Sequence, residues 1–118
     1  MCDKTDKFDL VVFAGQSNMS GRGDAAMAVK CNKNAGYEYK VISNPDKLTP
    51  VSEPFGMDEE RTGGINDLNP DGSSKRTGSM VSALIDEYFH QSGRKIIGVC
   101  ASIGGTSTAQ WKEIYIKL

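Results

Sequence analysis

Apolar positions gather into three short segments, and the rest of the chain is polar and rich in turn residues. Residues 8–14 (Phe8, Leu10, Val11, Val12, Phe13, Ala14) form a run of β-branched and aromatic side chains without clean alternation. That pattern predicts a parallel strand covered on both faces. Residues 95–101, with Ile96, Ile97, Val99 and Cys100, predict a second strand of the same kind. Between them Met80, Val81, Leu84, Ile85, Tyr88 and Phe89 recur at helical spacing and predict a helix over 79–91 that packs on this stripe. Ser79 suits its N-cap and Gly93 its stop. Helix, short turn and strand make the second half of a βαβ unit, with a right-handed crossover expected.

The stretch from Ser20 to Thr77 reads differently, as a long loop-rich insertion at about 24–77. Asn44-Pro45, Pro50, Pro54, Gly63-Gly64 and Asn69-Pro70 are turn chemistry. Tyr37–Ile42 is expected to be a short strand or hairpin arm, and Gly23–Lys30 a short helix carrying Ala25, Ala26, Met27 and Val29. The charges at Asp58, Glu59, Glu60 and Arg61 read as a solvated run. Long loops in compact domains are often functional lids. Two buried parallel strands and one helix cannot cover one another. The expectation is therefore that residues 1–118 are the N-terminal portion of a single larger α/β domain, completed by a further segment or a partner.

Composition narrows the class. The chain has 118 residues, enough for one small domain. Its 14 basic and 15 acidic side chains leave a net charge of −1, which gives no reason to expect nucleic acid or a membrane surface as partner. Cys2, Cys31 and Cys100 are odd in number and lack metal-ligand spacing, so they are expected as free thiols, Cys100 buried and inert. The N-terminus has no apolar leader, and no run approaches the ~20 residues of a membrane span. A cytoplasmic location is the expectation.

Candidate chemistry sits at the ends of the two strands. Gly15-Gln16-Ser17-Asn18-Met19 follows the first, where a parallel strand delivers side chains to the carboxyl edge of its sheet. A serine there is suited to nucleophilic attack, although the local pattern alone favours capping of a following helix. Met19 excludes the Gly-x-Ser-x-Gly elbow. Ala101–Ser107 follows the second strand and contains Gly104-Gly105, whose backbone N–H groups suit an oxyanion hole, a phosphate cradle or simply a tight turn. A nucleotide binder is the weak reading, because neither a P-loop nor a Gly-x-Gly-x-x-Gly motif occurs.

Phe13–Gly23 resembles the first block of the sialate O-acetylesterase-like family, carbohydrate acetylesterases of the SGNH hydrolase superfamily. Ala101–Ser107 with Trp111 is similar to the family's second block. The resemblance implies a flavodoxin-like three-layer α/β/α sandwich with a parallel sheet. It also implies hydrolysis of acetyl esters on sugars, an acetylated carbohydrate as partner, and neither cofactor nor metal. It makes Ser17 the nucleophile, with its own N–H and that of Gly104 or Gly105 as oxyanion donors. Gln16 and Asn18 would shape the turn, and together with Arg22, Thr106 and Trp111 would contact substrate. For Arg22 and Arg61 an anionic substrate or plain solvation both stay open, as do groove or staple for Tyr37, Tyr39 and Phe55, and sugar stacking or core for Trp111.

The family's Gln-Gly-Glu and Asp-x-x-His blocks do not occur in these 118 residues. The one histidine, His90, lies opposite the apolar stripe with Glu87 one turn earlier, and is expected to face solvent rather than serve as base. The chain by itself is thus expected to be weakly active, with the base on a missing segment. The alternative is an inactive carbohydrate-binding or vestigial module of the same fold.

Overall fold

Both apolar runs form strands, and the two strands are neighbours. The computed structural model describes residues 7–60, 66–107 and 109. In it β1 (Phe8–Gly15) pairs in parallel with β4 (Lys95–Ser102), from Phe8 opposite Lys95 to Gly15 opposite Ser102. On its other side β4 pairs in parallel with β2 (Gly36–Lys40), which pairs antiparallel with β3 (Asn44–Pro50). The sheet order is β1-β4-β2-β3, a mostly parallel α/β arrangement as expected.

The alternation hidden in the β1 sequence is real in space. Phe13 is buried, whereas Leu10 and Val12 on the opposite face are 69% and 55% exposed. Among the described residues β1 lies at the edge of the sheet and only one of its faces is packed. On that face Phe13, Phe55, Ala35, Ile96, Val81 and Ile85 form the core. The Phe13 and Phe55 rings meet edge to face, 5.5 Å apart, above Gly98. A Cβ at Gly98 would stand 3.1 Å from the Phe13 ring, so the missing side chain is what seats both aromatics.

The insertion is less loop-like than its composition. β3 contains Pro45 and Pro50, which an edge strand tolerates because only one side of it needs N–H donors. The expected strand over 37–42 is β2, shifted to begin at Gly36. The expected short helix at 23–30 reduces to a single 3-10 turn, Ala25–Met27, capped by Asp24 and leaving Met27 81% exposed. The acidic run is solvated at Asp58 but not at Glu59. Glu59 is buried and accepts from the Ile42 and Ser43 N–H groups and the Ser43 hydroxyl. Glu60 accepts from Asp67 N–H and Arg76 Nε. These bonds fold the insertion down with the backbone donors that its lack of apolar residues leaves available.

The first helical turn, α1 (Ser17–Ser20), follows β1 directly, and the long helix is α2 (Val81–Ser92). In α2, Val81, Ser82 and Ile85 are buried while Met80 and Leu84 are exposed, so the packed face is rotated from the expected stripe. Two caps hold the start of the helix. Ser79 Oγ accepts from Val81 N–H, but the principal cap is distant: Glu53 accepts from Ser79 N–H, Ser79 Oγ and Ser82 N–H. Gly93 ends the helix at φ 71 as expected. His90 is exposed, also as expected. Asp9 accepts from Arg94 and from the Tyr88 hydroxyl, joining the start of β1 to the end of α2. Those two partners hold its carboxyl well below the usual range, Arg94 contributing most.

Cys31 and Cys100 are free and only half-buried, so full burial of Cys100 is corrected, although it packs against the core. Burial, and then the charge of Asp86, push the Cys31 thiol up to about 11. Cys2, Arg61, Gly63-Gly64 and Trp111 lie outside the described residues.

Candidate active site

The parallel register decides where the two glycine-bearing turns meet. Gly15 stands opposite Ser102, and the Ile103 N–H donates to the Gly15 carbonyl at 3.0 Å. Ser17 and Gly104 each lie two residues beyond these paired positions, on the same carboxyl rim of the sheet. Gly15 makes the first turn possible, with φ at 151° and room for a Cβ only at 3.0 Å from Met19 Cβ. Gln16, exposed, then lends its carbonyl to Ser20 N–H, and the Ser17 carbonyl accepts from Gly21 N–H. The N–H groups of Ser17, Asn18 and Met19 open this turn and have no hydrogen-bond partner among the described residues. Ser17 is half-buried. Asn18 is exposed and lines a cleft of about 400 Å³ with Arg22, Asp24, Met27 and Ser79. Ser17 itself does not line that cleft, so the cleft adjoins the serine through Asn18.

Behind the second turn lies a buried acid that sequence reasoning missed. Asp67, 1% exposed, accepts the Gly104 N–H with both carboxylate oxygens, each at 2.9 Å. Arg22 Nη2 donates to the same carboxylate at 2.9 Å, and Arg76 Nη1 approaches to 3.6 Å. Arg76, itself buried, gives Nε to Glu60 and two further bonds to the hydroxyl and carbonyl of Ser102 at the end of β4. Burial opposes the charge on Asp67. The Ser20 hydroxyl packed against it, the Gly104 N–H, Arg22 and the Arg76 charge outweigh that penalty, and the carboxyl is held below the usual carboxylate range. A Cβ on Gly104 would fall 2.5 Å from Asp67 Oδ1 and closer still to the Arg22 guanidinium. A side chain at 104 would thus oblige the ends of the Asp67 and Arg22 side chains to shift.

The expected site residues sit in different settings. The Gly104 N–H is committed to Asp67. Gly105, exposed at φ 73, has an N–H with no partner among the described residues, and a Cβ there would meet nothing within 4 Å. Arg22 keeps a side chain 37% exposed in the cleft, and besides Asp67 it bonds the carbonyls of Gly21 and Lys75. Thr106 is buried and gives its hydroxyl to the Ile103 carbonyl at 2.7 Å, closing the turn. Phe55 belongs to the core, and Tyr37 stacks on Phe8. Among the described residues no group of three His, Cys, Asp or Glu side chains is disposed to hold a metal ion.

A rim that presents a serine beside a diglycine turn, backed by a neutral group of two arginines and two carboxylates, is equipped to bind a small polar ligand and stabilise an oxyanion. The family model for carbohydrate esterase, sialic acid-specific acetylesterase, matches residues 7–117. No curated protein and no solved structure matches the chain.

Proposed function

The chain belongs to the sialic acid-specific acetylesterase family of carbohydrate esterases, and from that premise we propose that Ser17 is the nucleophile of an O-acetylesterase acting on acetylated sugars of sialate or xylan type. The observation that carries the proposal is the pairing of Gly15 with Ser102, which leaves Ser17 and the diglycine turn on one rim. Ser17 Oγ attacks the acetyl carbonyl carbon. The carbonyl oxygen takes the negative charge and accepts from the Ser17 N–H and the diglycine turn. The sugar leaves as its alcohol, carrying the proton that Ser17 gives up. Water then hydrolyses the acetyl-enzyme to acetate.

Among the described residues no histidine stands at this rim, since His90 is exposed on α2. Without its base, a serine nucleophile keeps only roughly 10³–10⁴ of its acceleration over water, from the oxyanion donors and binding. A second reading, a non-catalytic carbohydrate-binding module of the same fold, is favoured by that same placement of His90.

A fluorophosphonate probe separates the two. Labelling mapped to Ser17 and lost in Ser17→Ala supports the esterase. Equal labelling of both proteins overturns it, and no labelling alongside retained binding of an acetylated sugar favours the binding module.

A further inference from the structure

The two glycines of the second turn are not equivalent. Gly104 is held from behind: its N–H meets both oxygens of Asp67, and its Cα faces the Asp67–Arg22 pair so closely that a Cβ would displace the ends of both side chains. Gly105 is exposed, in the left-handed region, with open space where a side chain would be. Asp67 is in turn fixed from three directions: by Arg22, by Arg76, and through its own N–H by Glu60. Arg76 ties that group to Ser102, the last residue of β4.

We infer that Asp67 is the positioning residue of this turn, clamping Gly104 so that the Gly105 N–H, not that of Gly104, donates to the oxyanion. The inference rests on the esterase reading above. Electrostatics permit it. A lone carboxylate behind an oxyanion would oppose the developing charge, but Asp67 and Glu60 are balanced by Arg22 and Arg76. The clamp therefore supplies rigidity without net negative charge. Pre-set donors of this kind stabilise a transition state because they need no reorganisation when charge appears. Nothing in the local sequence around Asp67 signals the role, since the neighbouring Asn69-Pro70 reads only as turn chemistry.

The test combines two arms on the active protein. In the first, Asp67→Asn is assayed on 4-nitrophenyl acetate, with competent serines counted by fluorophosphonate titration. The expected result is a roughly 10²-fold fall in kcat per titrated serine with KM little changed. A merely structural residue would lower the count of competent serines and leave kcat per serine intact, and that result overturns the inference. A rise in kcat would make Asp67 a plug on the oxyanion site and overturns it equally. Arg22→Gln, at a partly exposed position, should move kcat in the same direction by less, and it stands in where Asp67→Asn does not fold. In the second arm, amide exchange of the wild-type protein should be at least about 10²-fold slower at Gly104 than at Gly105. Equal rates overturn the clamp. Activity surviving in Ser17→Ala would instead defeat the esterase reading, while the exchange arm still judges the clamp.

Discussion

The Gly15 carbonyl accepts the Ile103 N–H at 3.0 Å, and this bond is the last link between β1 and β4 before each chain turns away. Ser17 and the diglycine turn inherit their relative placement from it. The link needs glycine at 15, because φ there is 151° and a Cβ would press on Met19 Cβ.

Gly15→Ala is therefore expected to cost about 1–3 kcal/mol of stability from backbone strain. It should also slow phosphonate labelling of Ser17 by about tenfold or more, since small displacements at a reacting centre have large effects. Urea melts and labelling rates measure the two effects. A destabilised protein that still labels at the wild-type rate would show that this rung does not set the rim.

A second prediction concerns pH. Glu38, on β2, is 1% exposed and accepts from the Gly56 N–H, with no ion pair among the described residues. Burial is the main cause that pushes its carboxyl up to about 7, from 4.5; Lys40, the Gly56 N–H and Arg76 only partly oppose it, and Glu59 adds to it. The folded state thus holds the proton more tightly than the unfolded state. The stabilisation is complete below about 4.5 and is lost as pH rises through about 7. Glu38→Gln keeps an acceptor for Gly56 and removes the titration. Relative to wild type, the variant should gain stability on the order of 2–3 kcal/mol between pH 4.5 and pH 8. Parallel pH profiles of the two proteins would refute the assignment.

The sequence made β1, β4, α2 and the two turns legible because each rests on local information: apolar runs, helical spacing, and glycine beside serine. What it concealed depends on pairing at a distance. β3 looked like turn because Pro45 and Pro50 argue against a strand, and only its edge position makes them harmless. Glu59 and Glu60 looked solvated because charge runs usually are; their partners, Ser43 and Arg76, lie far along the chain. Asp67 was missed for the same reason, although it binds the Gly104 N–H and pairs with Arg22. So was the Glu53 cap of α2, whose partners are 26 and 29 residues away.

That distant cap supports a third prediction. Glu53 receives two backbone N–H groups and one hydroxyl at the start of α2, where a carboxylate also meets the positive end of the helix dipole. Glu53→Ala should destabilise the protein by about 1–2 kcal/mol, as loss of a cap does. Glu53→Gln, which keeps the acceptor and loses the charge, should cost about 0.3–1 kcal/mol. If the two variants melt together with wild type, Ser79 alone caps the helix.

The last prediction probes the junction between β2 and β4. Gly36 lies opposite Ile96, and a Cβ there would sit on the Ile96 carbonyl oxygen and 3.0 Å from its carbon. Both obstacles are backbone, so no side chain can swing aside. Gly36→Ala must push β2 away from β4, and with it the bond from Ile96 N–H to the Ala35 carbonyl, inside the buried core. A loss of about 3 kcal/mol or more follows, the scale of overpacking against an unyielding neighbour. Gly72→Ala is the control. That glycine is also left-handed, at φ 87, but a Cβ would meet nothing within 4 Å, so only the strain of about 1–2 kcal/mol remains. Urea melts of the two variants should differ by about 1 kcal/mol or more, the packing loss less the strain of the control, and equal midpoints would mean that β2 and β4 do not approach in this register.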